Sequence, residues 1–206
     1  MGDTNLYQPL TQTDKVTVVL YRTGIALSAA IIGFAGFLSF RILTAIGPLP
    51  FPVTDALLIV MLFSLYFSIG LSVFFIHLYI GKLYRFLRKI YYLSAACLAA
   101  LLFLGSGNPI SPLFASPPYA AFLLIPVVFC LGFIAAKEAF CFRLLEGYLL
   151  FGLMPAYVFF YGAGALPQKT ALWGLVAIAV MFVFFTLRKI FMPLHYDIGD
   201  KSAYMP

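Results

Sequence analysis

Six long apolar runs, separated by short stretches that hold almost all of the charge, constrain this chain more than any other feature. A hydrocarbon core about 30 Å thick is crossed by ~20 helical residues, with ~17–25 as the usual range. The first run starts between Val16 and Thr23 and ends at Leu43, and the second spans Asp55 to Ile80. The third, Ile90 to Leu104, is short, but Arg85, Arg88 and Lys89 before it can snorkel to the interface. Tyr119 to Ala136, Tyr148 to Leu166 and Thr170 to Leu187 complete the set. The runs are apolar all round, whereas barrel strands alternate apolar and polar residues, so a β-barrel is excluded. Composition agrees: 64% of residues are hydrophobic and 10% charged, against about 45–50% and about 25% in soluble domains. The expectation is an all-α bundle of six transmembrane helices. Residues 1–206 form one integral membrane domain, with a polar tail over 1–15 and a C-terminal tail over 190–206.

Basic residues are retained on the cytoplasmic side of a membrane. Placing both termini there assigns eleven of the lysines and arginines to that side, including Lys82, Arg85, Arg88 and Lys89, and leaves only Arg41 and Lys169 outside. The alternation holds through all six helices, and removing any one would break it. The net charge of +6 therefore reports topology rather than nucleic-acid binding, which needs basic residues clustered on a water-exposed module. The proline-rich turns Gly47–Pro52 and Gly107–Pro112 are expected outside, since proline cannot continue a helix. Trp173 and tyrosines near span ends fit an aromatic belt. The polar N-terminus has no cleavable-signal pattern, so the first helix is read as the targeting signal.

An ionisable group inside a bilayer is a functional-site candidate by default, yet every acidic residue here is assigned to a helix end or beyond. That placement argues against ion-coupled transport through buried carboxylates. His77 is read as lying inside the second span, one turn from its inner end, where its imidazole could ligate a haem iron or a chlorophyll magnesium or simply bond a neighbouring group. Lys137 to Glu146 is read as an amphipathic connector in which Arg143 and Glu146 pair, with Lys137 beside Cys141. Pro126 and Pro155 are expected to kink the fourth and fifth spans. Gly24, Ser28, Ala29, Gly33 and Gly36 face Ser64, Ser68 and Ser72 as a close-packing seam between the first two helices. Cys97, Cys130 and Cys141 lack metal spacing; the first two sit at similar depth and could meet, although buried cysteines usually serve as small hydrophobes. No P-loop, HExxH, GxSxG or dinucleotide fingerprint is present, so no catalytic or metal-ligating set is named.

The strings Tyr21-Arg22-Thr23-Gly24, Ile76-His77-Leu78-Tyr79, Lys137-Glu138-Ala139-Phe140-Cys141-Phe142 and Asp197-Ile198-Gly199-Asp200-Lys201-Ser202 resemble a family of uncharacterised bacterial, largely cyanobacterial, integral membrane proteins. The resemblance implies no activity and no cofactor. On the topology above, Arg22, His77, Glu138, Cys141, Asp197 and Asp200 gather at the cytoplasmic face as a candidate functional cluster. The expected role is a non-enzymatic accessory or assembly factor for another membrane complex, in the bacterial inner membrane or the thylakoid, with lipids as its other partners. A small-solute transporter or channel is the alternative, and a haem- or chlorophyll-binding protein using His77 is a third.

Overall fold

A computed structural model describes residues 11–44, 52–78 and 80–197. Six α-helices follow in order: α1 Gln12–Thr44, α2 Asp55–Phe75, α3 Gly81–Leu104, α4 Ile125–Phe142, α5 Leu145–Gly162 and α6 Gln168–Ile190. Short 3-10 turns cover Ser111–Phe114, Tyr119–Leu124 and Leu194–Asp197. Helix starts follow local chemistry. Thr11 and Asp14 exchange backbone and side-chain hydrogen bonds at 3.0 and 3.2 Å ahead of α1, and the Thr54 hydroxyl accepts from the Leu57 amide to cap α2; both satisfy donors that a helix N-terminus leaves unpaired.

Each helix runs antiparallel to its neighbours in sequence, which places the N-termini of α1, α3 and α5 and the C-termini of α2, α4 and α6 at one end. That end is called the charged end below. Small residues set how closely α1 approaches its partners. The Ser28 and Ser68 hydroxyls bond at 2.7 Å, and Ser72 donates to the Tyr21 carbonyl at 3.2 Å. Gly24 lies directly against Ser68 and Ser72. Farther along, Gly33 meets Val183 and Gly36 meets Ala179, so the small-residue row expected to serve α2 alone serves α2 with its first half and α6 with its second. α4 and α5 form a hairpin in which Gly132 rests on Phe151 and Gly147 on Ala135 and Ala139. α3 lies at the periphery, burying only Leu87, Ser94 and Leu101.

Among the described residues, five stretches are long and apolar enough to cross a membrane: α1, α2, α3, α6, and α4 together with the 3-10 turn before it. α5 has 18 residues and runs continuously through Pro155. Phe67, Phe103, Phe140 and Val180 are each more than half exposed on four different helices. Such a surface is tolerable only where lipid replaces water, so the chain is a polytopic membrane protein of about five to six spanning helices in contact with lipid.

Three expectations need correcting. α2 stops at Phe75, so His77 lies in the extended stretch after the helix, not within it. Pro126 does not kink a helix interior. It occupies the first turn of α4, where no amide is needed, and the Phe122 carbonyl accepts from Ile125 in the preceding 3-10 turn. The basic stretch Lys82 to Lys89 belongs to α3 itself, making that helix 24 residues long. Residues 1–10, Asp200 with the rest of the tail beyond Asp197, Tyr79, and most of the Gly47–Pro52 turn lie outside the described residues.

Candidate functional site

At the charged end, five ionisable side chains from three helices and the tail meet in the interior. Glu138, near the end of α4, and Lys189, near the end of α6, are both 0% exposed, and Asp197 is 1% exposed. The Lys189 ammonium sits between Glu138 Oε2 and Asp197 Oδ1. Phe142 presents its ring face 3.9 Å from the same nitrogen. Two carboxylate oxygens and one π-face thus surround a side chain that has only three protons to offer. The other Glu138 oxygen accepts from Lys137 Nζ at 2.7 Å and from the Tyr21 hydroxyl at 2.6 Å. Lys137 also lies 5.3 Å from the Tyr21 ring centroid.

Arg22 completes the cluster from α1. Its Nε donates to Asp197 Oδ2 at 2.6 Å. Its terminal nitrogens donate to the carbonyls of Ile190 at 3.1 Å, Pro193 at 2.9 Å, and Met192. The carbonyls that end a helix have no intrahelical donor, and the planar five-donor guanidinium serves them together in a way one ammonium cannot. Arg22 therefore fastens the C-terminal end of α6 and the turn Leu194–Asp197 to α1. Arg22→Lys is expected to release that turn, raising amide hydrogen exchange over residues 191–197 by about tenfold, the equivalent of ~1.4 kcal/mol. Exchange in the α4–α5 hairpin should be unchanged.

Three of the six residues singled out from sequence, Arg22, Glu138 and Asp197, belong to this cluster. Cys141, one turn after Glu138, has an exposed side chain beside it. His77 lies apart on the α2 side, its Nε2 3.3 Å from the Thr17 hydroxyl. Asp200 lies outside the described residues. Lys137, Lys189 and Tyr21 were missed. Both lysines are read from sequence as markers of the cytoplasmic side, Lys137 also as a neighbour of Cys141, and every acidic residue as lying at a helix end or beyond; Glu138 and Asp197 do lie there, but buried and paired with Lys189. A weak signal was present: Lys189 directly follows Arg188 at the end of an apolar run, and adjacent side chains point about 100° apart on a helix, so the two need not share one environment. Arg188 faces outward, half-exposed, and pairs with Glu146 at 2.6 Å. Glu146 thus bonds α6 rather than Arg143. The segment expected to be an amphipathic connector is instead the end of α4 and the start of α5, joined across Arg143 in the left-handed conformation at φ 54°.

Three cations face two carboxylates, and each carboxylate touches two cations. Removal of charges from water is costly unless the pairing is this complete. The geometry can hold helices together and can exchange partners, since Lys189 and Arg22 share Asp197 while Lys189 and Lys137 share Glu138. Among the described residues, no group of three or more His, Cys, Asp or Glu side chains is placed to hold a metal ion.

A family described as "Uncharacterized integral membrane protein (DUF2301)" matches residues 71–205, a stretch that includes every member of the cluster except Tyr21 and Arg22. No curated protein and no solved structure matches the chain.

Proposed function

The chain belongs to the DUF2301 family of uncharacterised integral membrane proteins, and from that premise we propose that it is a non-enzymatic accessory or assembly factor for another membrane complex. In this reading it crosses the bilayer six times, with the charged end and both termini on the cytoplasmic side of a bacterial inner or thylakoid membrane. One observation carries it: the buried charges are satisfied by one another. Glu138, Lys189, Asp197 and Arg22 bond within the chain and tie α1, α4 and α6 into one closed end. A bundle closed in this way acts as a rigid platform. The cytoplasmic face, with Cys141 exposed beside the cluster and His77 near the same side, is then the surface a partner recognises.

Purification of the tagged protein from its native membrane in mild detergent, followed by mass spectrometry, tests the proposal. The expected result is stoichiometric recovery of the subunits of one membrane complex. Recovery should fall when exposed cytoplasmic-face side chains such as Cys141 and Arg143 are replaced by bulky ones. Recovery of this chain alone, together with saturable solute uptake in proteoliposomes, would overturn it.

The buried ion pairs also favour a second reading. An ion-pair cluster closing one end of a bundle, with Pro155 inside the neighbouring α5, resembles a gate that opens when charges change partners, and a small-solute transporter or channel would use it so. The uptake assay decides between the two. The haem or chlorophyll reading finds less support, because a hydrogen bond with the Thr17 hydroxyl occupies His77 Nε2; an absorption band in the visible from gently purified protein would revive it.

A further inference from the structure

The basic turn of α3 is built differently from the other charged segments. Arg88 lies against neighbouring rings, its guanidinium 5.2 Å from the Phe74 ring and 5.5 Å from the Tyr84 ring, and it donates to the Tyr92 hydroxyl at 3.1 Å. Lys82, Arg85 and Lys89 are exposed. Among the described residues none of the three pairs with a carboxylate, whereas Arg188 at the same end of the bundle does. At 3.6 residues per turn the three fall within an arc of roughly 100° on one face of α3. Phe86 projects from the same arc and is half-exposed.

That face does not end with the charge. Continued along the helix it passes through Leu93 and Ala96 and reaches Phe103, all exposed. Two basic turns are thus followed on one stripe by apolar turns, with the small residue Ala96 between larger ones. A phospholipid has the same order of chemistry, an anionic phosphate followed by a hydrocarbon chain. An acidic soluble segment would match only the first part. We propose that Lys82, Arg85 and Lys89 bind the phosphate of an anionic glycerophospholipid whose acyl chain lies along Leu93, Ala96 and Phe103.

Each cation near an anionic lipid surface contributes a factor of about five to binding, so the three together favour the anionic lipid by roughly 100-fold at low salt. Native mass spectrometry of the purified full-length protein measures this directly, with phosphatidylglycerol and phosphatidylcholine of identical acyl chains offered in competition. The wild type should retain phosphatidylglycerol. The triple variant Lys82→Gln/Arg85→Gln/Lys89→Gln should show no preference, Lys82→Arg/Lys89→Arg should keep it, and Lys169→Gln, changed at the opposite end, should leave it intact. Raising salt should weaken the preference, because exposed charges are screened. Soluble glycerol phosphate at the same concentration should not displace the lipid, since it lacks the chain. Equal retention of the two lipids by the wild type, an unchanged preference in the triple variant, or displacement by glycerol phosphate would each overturn the proposal.

Discussion

Replacing Glu138 with leucine should lower the stability of the folded bundle by about 3–5 kcal/mol, the range found when one partner of a buried ion pair is removed and the rest is left in place. Three groups lose their acceptor at once. Lys137 has no other carboxylate contact among the described residues, the Tyr21 hydroxyl has no other hydrogen-bond partner there, and Lys189 keeps Asp197 as its one carboxylate beside the Phe142 ring. Lys189 is fully buried, so water cannot replace the missing carboxylate without opening the end of the bundle. Glu138→Gln keeps the shape and one acceptor oxygen and should cost markedly less. Thermal unfolding in a mild detergent, followed by loss of monodisperse protein, measures both. Near-wild-type melting of Glu138→Leu would mean that the cluster is hydrated and contributes little.

A leucine at Gly24 should be nearly as damaging for a different reason. A β-carbon built at Gly24 overlaps the Ser72 hydroxyl and lies 2.5 Å from the Ser68 carbonyl oxygen and 2.8 Å from the Ser72 amide nitrogen. Two of these atoms are backbone and cannot swing aside, so α1 and α2 must separate, breaking the Ser28–Ser68 and Ser72–Tyr21 bonds. Overpacking typically costs about 1–3 kcal/mol, and the lost hydroxyl bonds add about 0.5–1.5 kcal/mol each. Gly152 supplies the contrast. A β-carbon there meets nothing within 4 Å, so Gly152→Ala should be neutral or stabilise α5 by up to about 1 kcal/mol through helix propensity. A melting temperature for Gly24→Leu equal to that of Gly152→Ala would show that α1 and α2 are not in close contact.

The membrane character of the chain and the approximate limits of its helices were legible because hydropathy is a local property, carried by each run of residues whatever the rest does. The α1–α2 seam was legible for a similar reason: Gly24 and Ser28 mark one helix face by their small size, and Ser68 and Ser72 mark the other. The same row misled at Gly33 and Gly36. Small size shows that something comes close without saying which helix does, and α6 takes those two positions. His77 and Pro126 were misplaced because an apolar run shows no boundary where one kind of backbone gives way to another.

The sequence by itself determined the solvent of this protein, its helical class, and the spacing at which charge interrupts the apolar runs, since these follow from the transfer of individual residues between water and hydrocarbon. Only the tertiary structure decided which charges stay in water and which are buried together. Arg22 and Asp197 are separated by 175 positions along the chain, and Glu138 reaches Lys189 across two different helices. Lysine reads the same in a string of letters whether it borders a headgroup or bridges two carboxylates. The difference lies in electrostatic energy, which depends on distance through space and on the exclusion of water, and both come into being when the helices pack.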